Sequence, residues 1–172
     1  MSLLPDHEIR RLCQQHAMVN PFDPEHLNPA SLDLTLGDRI MIEVPDRPEL
    51  QIVGINGHTA EDPYWLQPGE FALAETREIF SMPDYVCGFF YLKSSRAREG
   101  YEHLHAGFAD CGWYGSRLTL ELKNARTMHP LPLYPNMRIG QMVFFTVSGQ
   151  PERSYAHTGR YNGDLGVTAS KG

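Results

Sequence analysis

Polar and apolar residues alternate with period two along several short stretches of this chain, and glycine or proline punctuates them. Ser31-Leu32-Asp33-Leu34-Thr35-Leu36 alternates most regularly; Gly37-Asp38 ends it and residues 39–44 resume an extended pattern. Residues 71–76 follow the turn signal Pro68-Gly69. A mostly apolar run occupies 85–92, alternation returns over 117–123, and 131–134 and 141–147 complete the predicted strands. Residues 45–60 read as a loop or loose hairpin. The best helix candidate is 6–15, where Ile9, Leu12 and Cys13 fall on one face and Asp6 is the expected N-cap. Pro21, Pro24 and Pro29 then keep the chain extended or turning. Many short strands without βα alternation predict an all-β barrel or sandwich with a short N-terminal helix. The chain after Gly149 is polar and carries Gly159, Gly163 and Gly166, so composition predicts a mobile C-terminal tail over 150–172.

A length of 172 residues fits one domain, 1–172. The net charge of -6 opposes broad nucleic-acid binding but leaves room for a local cationic pocket. Cys13, Cys87 and Cys111 are too far apart for a disulfide framework or a zinc signature, and read as reduced thiols. No 18-residue apolar run is present, and the first residues place charges where a signal peptide needs an apolar block. These features point to a cytoplasmic chain with no membrane partner.

Candidate chemistry concentrates between Tyr91 and Glu121. Lys93, Ser94, Ser95, Arg96 and Arg98 bring cations and hydroxyls together, a composition suited to phosphate oxygens. A solvated turn with ordinary surface charges is the alternative. The cluster is not a P-loop, because GxxxxGK[ST] is absent. Alternation over 117–123 puts Leu118, Leu120 and Leu122 on one side and Thr119 and Glu121 on the other, so Glu121 faces solvent or a cavity. Asp110 precedes Cys111-Gly112-Trp113-Tyr114-Gly115; it suits a sugar hydroxyl, a catalytic water or a turn cap. Cys111 has no specified histidine partner and reads as structural. His103 and His105, two apart, are placed to face one side of a strand, a weak metal signal better read as a polar or interface role. The HxE…PCxxC pattern of zinc-dependent deaminases is absent.

At these residues the chain resembles the dCTP deaminase family of the dUTPase-like superfamily. DHEIRRLC, VNPF and NPASLDLTLG are similar to that family's opening helix and first strand. PGEFALAETREIFSMPDYVCGFFYLKSSRAREG leads into its phosphate motif, and ADCGWYGSRLTLELKN is similar to its catalytic strand. LYPNMRIGQMVFF and GRYNGDLGVTAS resemble its penultimate strands and closing tail. The resemblance implies a distorted jelly-roll protomer, a homotrimer with active sites between subunits, and a C-terminal tail that closes over a deoxynucleoside triphosphate. It implies Mg2+ carried mainly by the substrate triphosphate, and no zinc. It implies catalytic roles for Glu121, Arg98 and Ser94, and substrate-binding roles for Lys93, Ser95, Asp110, Arg160 and Tyr161. The implied reaction is hydrolytic deamination of dCTP, or a related cytosine deoxynucleotide, to the uracil nucleotide and ammonia. A dUTP-type diphosphatase and a non-catalytic nucleotide-binding relative remain as alternatives. The chain departs from the family pattern at Cys111, where proline is common, in Ala106-Gly107-Phe108-Ala109, and at Leu165, whose side chain cannot make an amide's hydrogen bonds.

Overall fold

The structure, a computed structural model, describes residues 2–172. Its first part comprises β1 (Ser2–Leu3), α1 (Asp6–His16), β2 (Val19–Asn20), β3 (Leu27–Asn28), β4 (Ser31–Val44) and β5 (Arg47–Gly54). β6 (Tyr64–Leu66), β7 (Phe71–Ser81), β8 (Val86–Leu92), α2 (Ser94–Glu99), β9 (Tyr101–His103) and β10 (Phe108–Ala109) follow. β11 (Tyr114–Asn124), β12 (Leu131–Leu133), β13 (Arg138–Thr146) and α3 (Tyr155–Thr158) complete the chain.

The main sheet is antiparallel throughout and runs β10-β8-β13-β4-β7-β11-β9. The loop-like segment 45–60 contributes β5, a hairpin partner of β4. β12 and β6 form a separate pair. The sheet curls into a half-barrel. α2 leads directly from β8 near one end to β9 at the other, and the rings of Phe90 and His103 lie 4.8 Å apart across that join. This is the all-β, barrel-like architecture that the alternation predicts. One apolar core fills the curl, with Phe80, Phe144, Leu34, Leu36, Ile40 and Leu120 fully enclosed. Burying each such side chain contributes about 1.5–3 kcal/mol relative to leaving it exposed.

α1 buries Ile9, Leu12 and Cys13, as its periodicity predicts. Its N-cap is Pro5 rather than Asp6. Pro5 is extended (φ -76°, ψ 168°), and its carbonyl accepts from the backbone N–H groups of Glu8 and Ile9. Asp6 is therefore the first helical residue, where its charge still favours the positive end of the helix dipole. The tail has contacts that composition does not report. It carries α3 and is hydrogen-bonded to the body: Trp113 Nε1 donates to the Tyr161 carbonyl at 3.0 Å, and Arg117 N donates to the Asp164 carbonyl at 2.8 Å.

The strands break register where polar side chains enter the sheet. Between the pairs Arg117↔Ile79 and Thr119↔Glu75, residues 76–78 of β7 face Leu118 alone. Glu78, 4% exposed, closes part of this bulge: its carboxylate accepts from Thr35 N at 3.0 Å and Thr35 Oγ1 at 2.7 Å. Burial raises its pKa against the opposing pull of these Thr35 bonds. A carboxyl group with a raised native pKa stabilises the fold below its unfolded pKa and loses that contribution as pH rises through the native value. The stability of Glu78→Gln relative to the parent chain should therefore rise steadily between about pH 4 and pH 8 in thermal unfolding. A difference that stays flat, or falls with pH, contradicts burial as the dominant influence on Glu78.

Candidate active site

Glu121 owes its position to its neighbours on β11. Leu118, Leu120 and Leu122 are buried in the core, so the alternate residues Arg117, Thr119 and Glu121 project to the opposite face. That face lines a cavity of about 550 Å³. Ala106, Phe108 and Asp110 form a second wall, Trp113, Tyr155 and Tyr161 a third, and the tail residues Asp164, Thr168 and Ser170 close over the top.

The Glu121 side chain is 23% exposed, yet its Oε2 is buried without an aligned hydrogen-bond partner. His103 Nε2 lies 3.1 Å away, is equally buried, and also has no aligned partner. The pairing Leu122↔His103 between β11 and β9 creates this approach, and Phe90 packs against the imidazole. Two polar atoms at this separation, both enclosed by protein, form a site able to gain hydrogen bonds or to move a proton. Leaving a buried polar atom unsatisfied costs about 1–3 kcal/mol.

Asp110 stands at the cavity rim, accessible to solvent but flanked closely enough by protein that desolvation raises its pKa. Tyr161 reaches the same cavity, tied down through its backbone carbonyl, which accepts from Ser116 Oγ at 2.7 Å as well as from Trp113. Glu121, Asp110 and Tyr161 therefore share one space.

The cationic cluster lies elsewhere on the chain. It forms α2, a helix with no buried residue, rather than a turn. Ser94, Ser95 and Arg98 are exposed, and none of them lines the cavity that holds Glu121. Arg160 is exposed on the tail, also outside the cavity lining. Lys93 precedes α2 and its Nζ donates to Asp33 Oδ2 at 2.5 Å, while Asn28 holds the other oxygen at 2.9 Å. Arg96 bonds the Arg138 carbonyl and Glu99.

His103 and His105 do not share a strand face. β9 ends at His103, and His105 adopts a left-handed turn with φ 62°. The leading residue that sequence reasoning underrated is thus His103, whose approach to Glu121 depends on a long-range register. Arg117 and Thr119 were legible only as neighbours on the strand. Cys111 is buried, and burial pushes its thiol up to about 11; Cys13 is likewise raised to about 12.

With this geometry in place, the relatives are informative. The family model described as dCTP deaminase-like matches residues 3–147. A protein of Persephonella marina named "dCTP deaminase, dUMP-forming" is 35% identical over 98% of this chain and 96% of its own length. One from Aquifex aeolicus with the same name is 37% identical over 98% and 94% respectively. Among solved structures, 2'-deoxycytidine 5'-triphosphate deaminase from Agrobacterium tumefaciens superposes with a TM-score of 0.65 at 20% identity. That match covers 83% of this chain and 47% of the Agrobacterium chain, and establishes the fold. The curled antiparallel sheet is the fold of that deaminase. This chain belongs to the dCTP deaminase-like family.

The thiol environments lead to a direct test. In the folded chain at neutral pH, a thiol reagent such as DTNB should label almost none of the three cysteines within minutes, and all three after denaturation. Rapid labelling of Cys111 in the folded protein contradicts its assignment as a buried structural thiol.

Proposed function

We propose that the protein deaminates dCTP hydrolytically and releases dUMP, diphosphate and ammonia, with Glu121 as the proton-transfer group. The carrying observation is the Glu121 carboxylate, held inside a cavity beside His103 with one oxygen unpartnered. Relatives named as dUMP-forming dCTP deaminases, aligned over nearly the whole chain, support the substrate and the product.

In the deamination step a water oxygen adds to cytosine C4 while its proton passes to Glu121. Glu121 passes that proton to ring nitrogen N3, which completes the tetrahedral centre. Glu121 then takes the proton of the new C4 hydroxyl and delivers it to the amino nitrogen; the C4–N bond breaks, ammonia leaves and the C4 carbonyl forms. His103 steadies the carboxylate on its buried side. A second water attacks the α-phosphorus and breaks its bond to the bridging oxygen, releasing diphosphate. Asp110 at the rim takes a sugar hydroxyl, and Tyr161 lies against the nucleotide.

Arg98 and Ser94 act on the reacting centre in this reading, and Lys93, Ser95 and Arg160 hold phosphate charge. That α2 does not line the Glu121 cavity within one chain supports sites completed by a neighbouring copy, in the homotrimer that the family resemblance implies. Exposed Tyr91, Leu104 and Phe108 provide apolar surface for that contact. Magnesium arrives with the substrate, bound by phosphate oxygens as this cation prefers. Among the described residues no group of three His, Cys, Asp or Glu side chains is placed to hold a metal ion, and a phosphate-borne magnesium requires none. Buried, unpaired cysteines fit a reducing compartment, and no described helix is long and apolar enough to cross a membrane.

The test is an incubation with dCTP and magnesium that measures ammonia and diphosphate separately. Both should appear in equal amounts, and Glu121→Gln should lower kcat by about a hundredfold to ten-thousandfold. Diphosphate without ammonia would mark a diphosphatase; saturable binding without either product would mark a non-catalytic nucleotide-binding protein. Either outcome overturns the proposal.

A further inference from the structure

A second buried carboxylate has no part in the chemistry above. Glu75 on β7 is wholly enclosed, at 0% exposure, and sits where both neighbouring strands lose register. On one side Gly37 packs so closely that a Cβ there would lie 2.6 Å from Glu75 Cγ. Glu75 Oε1 accepts from Arg39 Nε at 3.3 Å, while Oε2 is buried with no hydrogen-bond partner. Burying a carboxylate only half satisfied is destabilising, and an apolar residue would fill the space more cheaply. Its hydrogen bond goes to the guanidinium of Arg39, which Asp38 also approaches at 3.7 Å.

Arg39 in turn reaches the C-terminal tail. Its Nη2 donates to the Leu165 carbonyl at 2.9 Å. Gly166 lies flat against the same guanidinium: a Cβ on Gly166 would fall 2.9 Å from Arg39 Nη2 and 3.1 Å from Cζ. The next residue, Val167, is 8% exposed and packs with Met41 and Leu73. Arg39 and Met41 are alternate residues of β4, Leu73 and Glu75 alternate residues of β7, and Met41 pairs with Leu73. The four side chains therefore occupy one face of two adjacent strands, and tail residues 165–167 lie across them in order. Beyond the dock, Thr168 N donates to Thr119 Oγ1 at 3.3 Å, which sets Thr168, Ala169 and Ser170 into the wall of the Glu121 cavity.

We propose that Glu75 and Arg39 are positioning residues: they form a dock that holds residues 165–167 and thereby builds the tail wall of the cavity. The Glu75 carboxyl group holds Arg39 Nε, the Arg39 fork donates to the Leu165 carbonyl, and glycine at 166 leaves room for the backbone to lie close on the guanidinium. Leu165 thus serves through its carbonyl, and its exposed side chain is free to differ. The structural part of this inference is independent of the reaction; its kinetic consequence rests on the dCTP reading.

The test uses the full chain with Gly166→Val, Arg39→Ala, Arg39→Lys and Glu75→Gln. Gly166→Val alters a tail residue outside the core, so it reports on the dock even if Glu75→Gln fails to fold. Hydrogen exchange of the nucleotide-free protein should show amides in 165–170 exchanging about tenfold faster or more in Gly166→Val and Arg39→Ala, with β4, β7 and β11 unchanged. Arg39→Lys should restore part of the protection. KM for dCTP should rise about tenfold in Gly166→Val with a smaller change in kcat. Parent-like tail protection in both Gly166→Val and Arg39→Ala overturns the dock. Lost tail protection with an unchanged KM overturns its role in the cavity. If the parent chain releases no ammonia from dCTP, the functional reading fails while the exchange result still judges the dock.

Discussion

The structure turns on a carboxylate that its own strand forces out of water. The leucines of β11 anchor in the core, and period-two geometry then aims Glu121 at the opposite face. There the curl of the sheet, the 106–110 turn and the tail close a cavity around it. His103 comes within 3.1 Å because β9 pairs with β11 in one register, and a slip of one residue would turn the imidazole to the other face. The chemistry therefore depends on strand registration as much as on residue identity.

Polar residues at the bulges serve the same end. Regular antiparallel pairing has no place for Glu75, Glu78 or the backbone carbonyls of Thr76 and Arg77. The register breaks in β4, β7 and β11 supply it: Thr35 satisfies Glu78, Arg117 Nη1 donates to both carbonyls at 2.8 Å, and Arg39 links the buried Glu75 to the tail. Bulges of this kind bend strands and re-aim side chains next to active sites. Here they sit directly beneath the segment that completes the cavity.

The long strands and the face that carries Glu121 were legible in the sequence, because alternation over 31–36 and 117–123 reports burial on one side of a sheet. α2 was not: it is six residues long and buries none of them, so it has no apolar stripe to detect. β9 and β10 are shorter still, and the approach of His103 to Glu121 is a product of pairing between segments far apart in sequence. The contacts of the tail were illegible for a related reason: backbone carbonyls at Tyr161, Asp164 and Leu165 accept hydrogen bonds from the body, and composition cannot report a carbonyl's partner. The cationic run was legible as phosphate-suited chemistry, but its distance from the Glu121 cavity within one chain was not.

The most direct measurement is a crystal structure of Glu121→Gln soaked with dCTP and magnesium. The cytosine C4 should lie in the cavity with a water within about 3–3.5 Å of it and in hydrogen-bond reach of the residue-121 carboxamide. A pyrimidine bound outside the cavity, or a residue-121 side chain turned away from it in the occupied assembly, would contradict the account.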